Sequence, residues 1–348
     1  MVQRTERIEW LDVLKGIGVI LVILGHALGD CYIKTWVYAF HLGIFYYAAG
    51  YTFSPDKYTN IWQFAKKKIK TIIIPYLFYS LLCIVFVAFW NLAKGQQSLT
   101  EVLESGLNSC IGTVIMLRGS CYEGYCWFLP LICFINILYF AIYAITKKNR
   151  WVCHFVVILL YLLGIVYQKY IGVSLPLYID AIPVAMLLFH LGCVTKNTLF
   201  TKQTYVGFGI SVILTFVIAF LQYRVHFRSD LYEHTVGFPI SFFVSNTIGI
   251  YMALQLSLII KRQKVIAHLG RNSLRFYALH RPIVFYPLKL VLSWGLAKII
   301  ISTEIRMYTQ GFLLTIVSIA IIILILPFVT KVEKWFIRIF DRNECKKC

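Results

Sequence analysis

The sequence predicts an all-α fold, a polytopic membrane bundle of about ten transmembrane helices with both termini in the cytoplasm, and three observations predict it. The 348 residues are 59% hydrophobic and 14% charged, with a mean hydropathy of +0.74; a soluble domain carries about 25% charged residues. The apolar residues gather into runs of about 20, the length that spans a bilayer as helix. The short alternating strands of a membrane barrel are missing from the pattern. The third observation is where the basic residues fall. The net charge of +19 has the size seen in nucleic-acid binders, but its placement points to a lipid bilayer and to no nucleic-acid partner. An N-inside arrangement puts 23 of the 34 Lys and Arg on the cytoplasmic side, eight outside and three within spans, as the positive-inside rule requires.

The runs fall at 12–29, 36–53, 71–93, 125–145, 151–169, 175–195, 205–222, 236–260, 274–296 and 310–330. The first keeps Asp12, Lys15 and His26 and has no small-residue cleavage site after it, so it reads as a retained helix and not a signal peptide. The stretch 98–120 is too polar to span and reads as an interfacial helix or re-entrant element on the outer side. No repeat or long hydrophilic segment divides the runs, so residues 1–348 read as a single membrane domain. The tail CKKC, Cys345 to Cys348, is a lone CxxC with no second ligand pair, and no metal is expected.

The first run, LDVLKGIGVILVILGH, holds an unbroken series of Gly, Ile, Val and Leu between Lys15 and His26. Charged groups inside a bilayer are costly, about 2.5–3.5 kcal/mol each on insertion scales, and usually serve function. Lys15 and His26 lie on one helical face, about 16 Å apart along the axis, and Asp12 is one turn before Lys15, within pairing reach. His41 follows in the next run, in AFHLGIFYYAAGY, and an antiparallel neighbour brings the two imidazoles toward one polar cavity.

These residues carry a resemblance. LDVLKGIGVILVILGH is similar to the opening signature of the membrane acyltransferase-3 family, in which an Arg stands where this chain has Lys15. FHLGIFYYAAGY resembles the family's second-helix motif, from which Gly43 and Ala49 depart. KKKIKTIIIPYLFYSLL, CWFLPLI and LGRNSLRFYALH resemble three later motifs, in order along the chain. The resemblance implies an integral-membrane acyltransferase of the cell (plasma or inner) membrane. Its partners are then acyl-CoA, usually acetyl-CoA, as cytosolic donor, and an extracytoplasmic glycan or lipid-linked sugar whose hydroxyl is O-acetylated, a polysaccharide modification.

On that reading His26 is the central catalytic candidate, either as the general base for the hydroxyl or as a covalent acyl relay. Lys15 holds the donor's carbonyl or pantetheine arm, or pairs with Asp12; as Lys it lacks the planar fork of Arg. His41 joins the catalytic set. Lys66, Lys67, Lys68, Lys70, Arg271 and Arg275 suit the donor's phosphates, with Lys68, Lys70 and Arg275 favoured by their motifs. His280 and Trp127 are donor-binding candidates by motif position, Trp127 fitting an interfacial belt equally well. Asp180 and Glu123 fall on the acceptor side, to orient a sugar hydroxyl or to sit in solvent. The competing reading is a transporter of the same fold, for polysaccharide export or amino-acid uptake.

Overall fold

Inside a bilayer a backbone can satisfy its amides only within its own segment, so each long apolar run becomes a helix. The computed structural model describes residues 8–118, 126–196, 198–237 and 239–345, with side chains as far as 339. In chain order the helices are α1 (Glu9–Ala27), α2 (Tyr32–Tyr38), α3 (Gly43–Tyr51), α4 (Ile61–Lys68), α5 (Ile74–Ala93), α6 (Leu99–Ile115), α7 (Phe128–Ile145), α8 (Arg150–Tyr170), α9 (Ile182–Val194), α10 (Tyr205–Arg224), α11 (Pro239–Ile259), α12 (Lys264–Arg271), α13 (Ser273–Leu279), α14 (Phe285–Ile299) and α15 (Thr303–Cys345). One isolated bridge pairs Asp230 with Thr235.

Several helix starts are set by side chains that accept the first free amides. Asn60 accepts from Gln63, Asn149 from Trp151 and Val152, and Thr204 from Gly207. Ser98 and Glu101 cap each other's amides at the head of α6, the reciprocal pattern of a capping box. On α6, Leu99, Leu103, Leu107 and Ile111 form an exposed stripe at intervals of one turn. The segment is therefore helical but not one of the spanning lengths.

Nine helical stretches among the described residues are long and apolar enough to cross a membrane. The difference from ten lies at 36–53. That run is two short helices, α2 and α3, joined by a turn over residues 39–42. At the break the ring Nδ1 of His41 and its backbone amide both bond the carbonyl of Val37. Gly43, a weak helix former, follows at once. A second break falls at His280–Val284, where Arg281 is extended (φ −137, ψ 131) and Pro282 has no amide to donate.

The exposed faces match a lipid solvent. On α8, Phe155, Ile158, Leu162 and Val166 point outward; on α10, Ile210, Ile213, Val217 and Phe220 do so. Contiguous exposed apolar faces of this extent do not occur on soluble monomers without a partner. The protein is a multi-pass membrane protein.

The chain forms two compact units from interleaved segments. One comprises the residues up to Phe53 with Leu187–Ser273, and the other Ser54–Met186 with the residues from Leu274 on. At the centre of the first unit is α1, whose Val13, Leu14, Val19 and Ile23 are fully buried, packed against α2, α3, α11 and above all α12. The α1–α12 approach depends on Gly270, where any side chain would collide with the carbonyl oxygen of Asp12.

Candidate functional site

The first unit holds Asp12, Lys15, His26 and His41. Asp12 is buried and Lys15 half-buried in the first turns of α1. The short helix α12 lies along this end, so exposed Lys264 and Arg271 flank it on one side. At the other end of α1, His26 sits in the last turn, one residue before the helix stops at Ala27. The helix ends there because Leu28 turns extended (φ −77, ψ 144). The imidazole is therefore at the end of the apolar run and half-exposed.

From there the chain enters α2, which presents Tyr38. The phenol oxygen of Tyr38 is 3.5 Å from Nδ1 of His26, and its ring lies 4.8 Å from the ring of His41. Tyr38 thus touches both imidazoles. His41 is 4% exposed. A carbonyl can only accept, so the 3.0 Å contact between Nδ1 and Val37 O puts the proton on Nδ1 and leaves the lone pair on Nε2.

A charged rim lies over Tyr38. Asp30 accepts from Lys34 (3.1 Å) and Arg228 (2.6 Å), and the Arg228 guanidinium is 5.0 Å from the centre of the Tyr38 ring. The bond and charge of Lys34, then those of Arg228, hold the Asp30 carboxyl below the usual carboxylate range. This pair ties the loop after α10 to the turn between α1 and α2.

The remaining candidates fall in the second unit. Lys70 is exposed; Lys68 is half-buried with its ammonium 5.2 Å from the Phe64 ring centre. Arg275 donates through Nε to Glu333 at 2.7 Å, and Tyr79 donates to the same carboxylate oxygen at 3.0 Å. His280 is buried at the break after α13, its Nδ1–H donating to Tyr277 O at 2.6 Å. Trp127 is buried against Tyr178. Asp180 is buried in an ion pair with Arg118 and also accepts from the Leu175 amide at 3.1 Å; Tyr178 lies under the Arg118 guanidinium. Glu123 and the end of the CKKC tail lie outside the described residues. Among the described residues no three His, Cys, Asp or Glu side chains converge as metal ligands would.

Tyr38, Arg228, Asp230 and Asn246 were not singled out from the sequence. The available signal was the polar triplet Ser245-Asn246-Thr247 inside an apolar run; for the others only the fold reveals the proximity.

The family model described as an acyltransferase domain matches residues 8–332, nearly the whole chain. The chain belongs to the acyltransferase-3 family. Membership gives acyltransferase as the class of activity, and the ionisable first helix described above lies within the matched region. No curated protein and no solved structure matches the chain.

Proposed function

We propose that this acyltransferase moves an acetyl group from cytosolic acetyl-CoA to a hydroxyl of an extracytoplasmic glycan or lipid-linked sugar in the cell membrane, with both termini cytoplasmic. The observation that carries the reading is the arrangement along α1: a cation with a basic helix beside it at one end, and at the other an imidazole joined to a second imidazole through Tyr38.

In this mechanism the neutral His26 ring removes the proton from the acceptor hydroxyl as its oxygen attacks the thioester carbonyl. The carbon–sulfur bond breaks, and the imidazolium returns the proton to the departing thiolate. Tyr38 holds the ring through Nδ1 and keeps Nε2 as the working nitrogen. Lys15 and the exposed bases of α12 supply positive charge for the phosphorylated donor, a role that needs charge and not the bidentate fork of Arg.

The test uses membranes containing the protein, radiolabelled acetyl-CoA and candidate glycans, with His26→Ala beside the native chain. Label entering a glycan only with native protein is the expected result. Equal labelling from His26→Ala overturns the assignment of His26, and glycan flux with no labelling favours an exporter.

A further inference from the structure

Beside His41 the first unit has a small, partly open pocket, lined by Tyr38, His41, Ser229, Asp230, Phe242 and Asn246 among others. Apart from the hydroxyls of Tyr38 and Ser229, its polar groups are acceptors. His41 Nε2 holds a lone pair, because Nδ1 carries the proton to Val37, and no described residue donates to it. Asn246 is 4% exposed; its amide nitrogen donates to Phe242 O at 3.0 Å, so its oxygen is left as an acceptor, and no described residue donates to that oxygen either. Asp230 accepts from the backbone amides of Tyr232, at 2.9 Å, and Glu233, and a carboxylate has lone pairs for further donors. The pocket is therefore lined mainly by acceptors, two of them on side chains more than nine-tenths buried.

A complementary ligand must bring several donors and fit between the rings of Tyr38 and Phe242. Among neutral groups, a pyranose ring does both, with hydroxyls that donate and C–H faces that pack on aromatic rings. An ammonium would meet Asp230, but it would also face the Arg228 and Lys34 cations at the rim above Tyr38. Gly43 is part of the construction. A side chain there would lie 2.5 Å from Asn246 Oδ1, so glycine is what lets the amide oxygen stand at the cavity wall.

We propose that this cavity is the subsite for the acceptor's sugar ring, with His41, Asn246 and Asp230 each accepting a hydrogen bond from a ring hydroxyl. The proposal rests on the acyltransferase reading for the identity of the ligand as an acceptor. Tyr38 lines the pocket and has its hydroxyl toward His26, which places the proton-accepting ring near the sugar. Ser229, buried at the cavity wall, supplies a further polar contact.

The full chain in lipid nanodiscs is titrated with methyl glycosides of glucose, galactose and N-acetylglucosamine, read by saturation-transfer NMR, for the native protein, Asn246→Ala and Asp230→Asn. At least one glycoside is expected to bind, with affinity weakened about tenfold or more by each substitution and acetyl-CoA binding unchanged. Asp230→Asn conserves shape and the Tyr232 cap, so it remains informative if Asn246→Ala does not fold. Equal glycoside binding by native protein and variants overturns the subsite, as does binding of no glycoside, or displacement of the glycoside by tetramethylammonium. Acetyl transfer by the same nanodiscs separates the two levels. Variant-insensitive glycoside binding with transfer intact sinks the subsite alone; variant-sensitive binding with no transfer by native protein keeps the sugar site and sinks the transferase reading.

Discussion

The Tyr38 hydroxyl and His26 Nδ1 approach to 3.5 Å across the turn that joins α1 to α2, and the same phenol ring packs on His41. Removing only the hydroxyl separates these two relationships. In Tyr38→Phe the ring remains against His41, while His26 loses the group that orients it. A base held in the wrong orientation loses transition-state stabilisation more than substrate binding. The expected result is a kcat lowered about tenfold with KM for acetyl-CoA little changed, read from steady-state transfer kinetics. An unchanged kcat would show that His26 is oriented by other contacts.

His41 should behave differently from His26. Its Nδ1 is committed to Val37, and its Nε2 serves the cavity in which we place the sugar. His41→Ala is expected to raise the acceptor KM about tenfold or more, the loss of a buried hydrogen bond, with the donor KM unaffected. The corresponding His26→Ala change falls on kcat. A His41→Ala protein with unaltered acceptor KM would remove this residue from the sugar site.

The difference between these two histidines shows how much the sequence discloses. The spans were legible because a bilayer imposes one simple requirement, about 20 apolar residues in helix, and nine helical stretches among the described residues meet it. The break at residues 39–42 was not, because the run over 36–53 is mainly apolar and hydropathy does not register a turn inside it. The spacing of Lys15 and His26 put both on one face, but the helix end at Ala27 places His26 at a turn and not within the apolar run. Arg228, Asp230 and Asn246 reach Tyr38 and His41 only through tertiary packing, about 200 residues along the chain.

The α1–α12 contact should tolerate nothing larger than glycine at position 270. A side chain there meets the Asp12 carbonyl, a backbone atom that cannot rotate away. Overpacking costs about 1–3 kcal/mol where side chains can yield, and Gly270→Val should lie at or above the top of that range. The expected outcome is a lower melting temperature together with a weaker donor KM, as the basic face of α12 moves off the Lys15 end. Gly106 in α6 has open space around it, so Gly106→Ala is the matched control, expected to be neutral or stabilising by up to about 1 kcal/mol.

Arg275 is a donor-phosphate candidate by sequence, yet its Nε is bonded to the buried carboxylate of Glu333, which Tyr79 also serves. Arg275→Ala strips the guanidinium from a carboxylate that is nearly inaccessible, a loss of about 3 kcal/mol. The expected readout is a clear drop in melting temperature. Arg275→Met combined with Glu333→Gln should recover much of it, because the uncompensated charge is gone. Recovery of stability with donor KM also restored would assign Arg275 a structural role; a donor KM that stays high in the recovered double variant would assign it to the phosphates.

Asp230 couples stability to the proposed sugar site with a definite sign. Burial pushes its carboxyl above the ordinary carboxylate range, against the Tyr232 amide and Arg228, which pull it down. A pKa higher in the folded than in the unfolded chain means that folding favours the protonated acid. The stabilising contribution is present below the unfolded value, about 3.9, and is lost as pH rises through the folded value. Asp230→Asn keeps the cap and is neutral at every pH, so its advantage over the native protein should be absent in acid and grow to a plateau toward neutral pH, worth about 1–3 °C in melting temperature. The same substitution weakens glycoside binding, since the amide replaces an acceptor oxygen with a donor. A variant that is more stable at pH 7 than the native chain, no more stable at pH 3.5 to 4, and poorer at holding the sugar is the expected combination; equal melting temperatures across the pH range would show that Asp230 is already well solvated.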